Sequence, residues 1–156
     1  MQKYTSMNTS INKTKVPAVF RKVDWEKFRG KTVLDYGCGR YTEHIEKYLE
    51  QYGVRYVGYD PYWRPERRNI RYDVVVCSNV LNVIDDDNTV YQVHGCVRWY
   101  NEPYFITVYE GDGSGIGRQT GKDQYQRNEK AGKYLWSDEC VSHGVITAKE
   151  WKEYLK

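Results

Sequence analysis

Three short runs carry residue types that can do chemistry together. The first is Asp35-Tyr36-Gly37-Cys38-Gly39, which closes the apolar run "KTVLDYGCGR". The second is Asp60, in "YVGYDPYW", 21 residues after Gly39. The third is Cys77-Ser78-Asn79, at the end of "YDVVVCSN". Glycines at 37 and 39 let the backbone turn sharply and approach a ligand without Cβ interference, and a helix starting near Tyr41 presents free N–H groups beside them. A strand-end acid such as Asp60 can accept both hydroxyls of a ribose with its two oxygens. Together the runs suit an adenosine-containing ligand.

The elements that must position these residues alternate. "KTVLDYG" is a buried strand, "YTEHIEKYLEQYG" has apolar residues at helical spacing and stops at Gly53, and "VRYVGYD" is a second strand. Val74-Val75-Val76 begins a third, suited to a central parallel sheet covered on both faces. "DDDNTVYQVHGCVRWYN" is a helix begun by acids that complement its dipole, "PYFITVYE" a fourth strand, and "GVI" a short one before the helix "TAKEWKEYLK", where Thr147 and Glu150 form a capping box. Strand and helix in alternation imply an α/β, Rossmann-like, doubly wound and mostly parallel sheet. Ligands in such folds bind beyond the carboxyl ends of the strands, where the three runs lie.

Residues 1–22 are polar and basic, with Pro17 discouraging a continuous helix, and read as an arm on a single domain spanning 23–156. In "DWEKFRGK" Asp24 is a candidate N-cap and Gly30 a stop. Residues 111–132 are glycine-rich, polar and basic, a lid or substrate loop. Its Arg118, Lys122, Arg127 and Tyr125 can meet a nucleic-acid backbone and base or stay solvated. It fails the phosphate-loop pattern because Asp123 follows Gly121-Lys122.

With 156 residues the chain is one domain, large enough for a core, and its formal charge of +3 permits a nucleic-acid partner without implying one. Four scattered cysteines and three scattered histidines argue for free thiols and against disulfides or a metal cluster. The "DDDN" run lacks the spaced carboxylates of a calcium loop. There is neither a membrane-length apolar run nor a signal-peptide core, so the expectation is a cytoplasmic protein.

A dinucleotide site would want a third glycine where Thr42 stands. The order "VLDYGCGR", "YVGYD", "YDVVVCSNVLNVI" instead resembles the class I S-adenosylmethionine-dependent methyltransferases. "LDYGCGR", "G-x-D-P" and "VLNVI" are also similar to a methyltransferase-like group associated with DNA phosphorothioation. The resemblance covers residues 31–84 and implies S-adenosylmethionine as cofactor. Asp35 would organise its methionine amino group, Gly37 and Gly39 would pass beneath it, and Asp60 would bind its ribose. Pro61 and Tyr62 would flank the adenine, and Ser78 and Asn79 would line the methionine or acceptor side. The family usually fits further elements between Asp60 and Asp73, where this chain has about a dozen residues. At ~3.3 Å each these can cross a sheet edge but cannot build a crossover unit. A compact sheet follows, with Tyr62 and Trp63 either walling the adenine or packing on the neighbouring helix.

"DPYW" is also close to the Asp-Pro-Pro-Tyr element that holds an exocyclic amine in base-flipping methyltransferases. That element follows a later strand, so the ribose role fits Asp60 better. The expected activity is methyl transfer to nucleic acid, a small molecule or a protein, the basic balance and basic-aromatic loop pointing to nucleic acid. The alternative is a non-catalytic S-adenosylmethionine or S-adenosylhomocysteine binding module. No general base stands out. His94 belongs on a helix face and Asp85 at a helix start.

Overall fold

The structure, a computed structural model, describes residues 13–66, 71–78, 80, 89, 92–93, 96, 104–107, 118–121, 124–126 and 145–146. Its strands in chain order are β1 (Thr32–Tyr36), β2 (Arg55–Tyr59), β3 (Val74–Ser78), β4 (Tyr104–Thr107), β5 (Arg118–Gly121), β6 (Gln124–Gln126) and β7 (Val145–Ile146). Five of them form a parallel sheet in the order β2-β1-β3-β4-β7. This is the expected Rossmann-like arrangement. Register aligns the carboxyl ends: Tyr36 lies beside Tyr59, Asp35 beside Val76, and Ser78 beside Thr107. At the opposite edge Asp73 locks β3 to β1, its N–H donating to the Thr32 carbonyl at 2.8 Å and its carboxylate accepting the Thr32 N–H at 3.0 Å.

Val74, Val75, Val76 and Cys77 are all buried, so β3 is covered on both faces as its unbroken apolar run predicts. On one face Val33, Val74, Val76 and Phe105 pack against Ile45 and Leu49 of α2 (Glu43–Glu50). The same core takes in α1 (Ala18–Lys22) through Val19 and Phe20. Pro17, expected to discourage a continuous helix, sits where non-helical residues 13–17 give way to α1: its carbonyl accepts the N–H groups of Phe20 and Arg21. A proline is tolerated there because the N–H it lacks would be unpaired in a first turn anyway. Trp25, in a short 3-10 helix (Trp25–Phe28), stacks on Phe20 at 5.9 Å and donates its Nε1–H to the Phe20 carbonyl. Asp24 precedes this turn without the side-chain cap bond its position suggested.

The stretch 111–132, read as a loop, contains a two-stranded antiparallel pair, β5 and β6, carrying Arg118 and Tyr125. Lys122 and Arg127 lie outside the described residues, as do Asp85, His94 and the expected helix after Ile146. Residues 89, 92, 93 and 96 are helical, within the run expected to form a helix. Among the described residues no helix is long and apolar enough to cross a membrane.

Phe20 is fully buried between Trp25 and the sheet. Phe20→Ala is expected to cost about 3–5 kcal/mol in urea unfolding, a large share of the stability of a domain this size. A loss under about 1 kcal/mol would show that α1 is not part of the cooperative core.

Candidate functional site

The glycine turn is held by the end of β2. The Tyr59 carbonyl accepts the N–H groups of Gly37 at 2.7 Å and Cys38 at 2.9 Å. Asp60, 3 % exposed, then ties three further N–H groups: Gly39 to Oδ2 at 3.2 Å, and Tyr62 and Trp63 to Oδ1 at 2.9 and 3.0 Å. Gly37 and Gly39 have φ of +85° and +73°, conformations that disfavour any side chain. Their surroundings differ. A Cβ on Gly37 would overlap Val80 Cγ2, whereas a Cβ on Gly39 would meet nothing within 4 Å. The backbone at Gly39 thus faces open space, a cradle that an L side chain would fill. Gly58 makes room for Cys38, whose Sγ would lie 2.8 Å from an added Cβ.

Beneath the turn, Val33 and Asp35 point to the α2 side of β1, and the parallel register sets Tyr56 and Gly58 across from them. The Tyr56 hydroxyl donates to Asp35 Oδ2 at 2.6 Å. Burial raises the Asp35 carboxyl from 3.8 to about 7, the Tyr56 bond opposing the rise and the nearby Asp60 charge adding to it. Tyr56 is pushed well above its ordinary value by burial and then by the Asp35 charge, so it remains a donor. Burial, then the charges of Asp35 and Asp60, raise the Cys38 thiol, with Arg64 opposing; burial and Asp35 raise Cys77. Both sulfurs are protonated at neutral pH, which removes them as nucleophiles.

The structure thus gathers Asp35, Gly37, Gly39, Asp60, Pro61 and Tyr62 around one turn, with Ser78 half-buried at the end of β3. Asn79 lies outside the described residues. Pro61 and Tyr62 are exposed, and Tyr62 stands edge-on to Trp63 at 4.7 Å. The face of Trp63 carries the Arg40 guanidinium at 4.8 Å. Trp63 also lines a groove of about 570 Å³ that runs along the outer edge of β2, opposite Glu46 and Glu50 of α2. Sequence reasoning missed Tyr56 and Arg40. Period-two alternation in β2 was the available signal for Tyr56, since it puts that residue on the same side as Gly58.

A parallel sheet with a glycine turn after its first strand and an acid at the end of the second defines a Rossmann-like α/β protein. A model of the methyltransferase domain family matches residues 12–90, about half of the chain, and the chain belongs to that family. Neither the curated proteins nor the solved structures supply a match.

Asp35 gives the fold a pH dependence of defined sign. Below about pH 4 the carboxyl is protonated in both folded and unfolded chains. Between about 4 and about 7 the unfolded chain has lost the proton and the folded chain keeps it, so stability falls as pH rises. Asp35→Asn should therefore gain stability relative to the parent by roughly 1.4 kcal/mol per pH unit across this window, levelling off above it. Urea unfolding at pH 4.5, 6 and 8 measures the difference. A constant offset would mean that the carboxyl titrates normally.

Proposed function

We propose that the protein transfers a methyl group from S-adenosylmethionine. The observation that carries this is the joined geometry of Gly39 and Asp60: a glycine backbone open to a ligand, bonded directly to the acid that ends β2. A carboxylate has about four acceptor positions, and three N–H groups use three of them. One position remains, on Oδ2, so Asp60 would hold a single ribose hydroxyl rather than the pair expected from sequence. Asp35, ionised by the approach of an ammonium, would answer the methionine amino group, with Tyr56 fixing its carboxyl. Ser78 would line the far side, and Pro61 the adenine. The cofactor brings a methyl group already activated on a sulfonium. The protein's part is to hold donor and acceptor in line at near-attack distance and to keep water out.

A binding module without catalysis is the second reading. It is favoured by the state of the groups near the turn: Asp35 is enclosed, and Cys38, Cys77 and Tyr56 keep their protons. Among these residues none is both exposed and poised to accept a proton from an acceptor.

Calorimetric titration with S-adenosylhomocysteine, followed by transfer of labelled methyl groups to DNA, RNA and small molecules, separates the readings. Binding with transfer supports the enzyme, binding alone the module, and no binding removes both. The glycines sharpen the test. Gly39→Ala strains a positive φ by about 1–2 kcal/mol yet projects into the open cradle, so ligand affinity should fall at least tenfold while the chain stays folded. Gly37→Ala adds a clash with Val80 to the same strain and should lower the melting temperature further. Unchanged affinity in Gly39→Ala would place the ligand elsewhere.

A further inference from the structure

A file of alternating cations and rings leads away from Asp60 along the rim of the cleft. The Arg40 guanidinium lies 4.8 Å from the centre of the Trp63 ring and 5.1 Å from that of Tyr41. Lys13 Nζ is 5.1 Å from the Tyr41 ring. At the other end Tyr62 meets Trp63 edge-on and is 52 % exposed, the one large hydrophobic side chain so open among the described residues. Lys13, Lys15, Arg40 and Arg64 are exposed, as are the acids Glu43 and Glu66 in the same runs and Glu46 and Glu50 across the groove from Trp63.

Each part of this file suits one part of a nucleotide chain. A guanidinium between two rings keeps its plane fixed and turns its N–H edges outward, the geometry that meets a phosphate. An exposed tyrosine ring stacks on any unpaired base, because every base has a π-face. The bases of a duplex are stacked on one another and unavailable to such a ring. We infer that the rim formed by Lys13, Tyr41, Arg40, Trp63 and Tyr62 docks single-stranded nucleic acid, with Tyr62 stacking on a base and Lys13, Arg40 and Arg64 meeting phosphates. This surface stands apart from the methyl-transfer reading, since it needs no cofactor. Where that reading also holds, it names the acceptor class.

Fluorescence anisotropy of a labelled twelve-residue oligothymidylate at low salt tests it. Binding is expected with a dissociation constant below about 100 µM, weakening steeply as salt rises. Tyr62→Ala should weaken binding about tenfold, the usual loss of one stacked base. Arg40→Ala and Lys13→Ala should each lower the salt slope by about one. Circular dichroism checks that the variants are folded. Absence of binding overturns the proposal, as does equal binding to a duplex or to poly-glutamate, which would reduce the rim to bare charge. Titration of Tyr62→Ala with S-adenosylhomocysteine keeps the two readings distinct. If that variant loses only the homocysteine ligand, Tyr62 is an adenine wall and the docking surface is refuted.

Discussion

The carboxylate of Asp60 is the joint on which the site depends. It is almost wholly buried, and a buried carboxylate is tolerated where hydrogen bonds replace the water it has lost. Three backbone N–H groups do so here, one from the glycine turn and two from the residues that follow β2. With the Tyr59 carbonyl holding Gly37 and Cys38, the turn after β1 becomes an extension of β2. The position of Arg40 beside Trp63 is a product of the same joint, because each follows a residue or segment that Asp60 fixes.

A few residues away, Asp35 is kept by the opposite means. It has a phenol as partner where Asp60 has backbone amides, and its carboxyl rises toward neutrality. Two acids of one type, separated by the end of a parallel pair of strands, therefore differ in what they can offer a ligand. Asp60 offers one remaining acceptor position, and Asp35 a charge that an approaching cation can call up.

Much of this was legible in the residues. The unbroken run Val74-Val75-Val76 marked the central strand, and Gly37, Gly39 and Asp60 marked the turn and its acid. Pro17 marked where α1 begins, since a proline that breaks a helix interior also makes a good first turn. The bond between Tyr56 and Asp35 required the register of β1 on β2, which alternation alone does not supply. The use of Asp60 by three amides was invisible for a different reason. Backbone donors are the same at every non-proline position, so no pattern of side chains announces them. The stack on Arg40 likewise depends on a contact 23 positions away in sequence, between residues 40 and 63.

Among the described residues β2 pairs with β1 alone, which makes it an edge. The Arg55 N–H and the Tyr59 carbonyl point to β1, so by alternation Tyr56 and Gly58 direct their amides outward along the groove. Such a row is a template for pairing with another chain. Asp60 shortens it: the chain folds back so that Asp60 and Arg64 exchange two hydrogen bonds on that outer side. Among the described residues Tyr56 and Gly58 remain open, too few to nucleate a long ladder between molecules. The bend that aims the aromatic rings at the rim thus also guards the chain against aggregating through its own sheet.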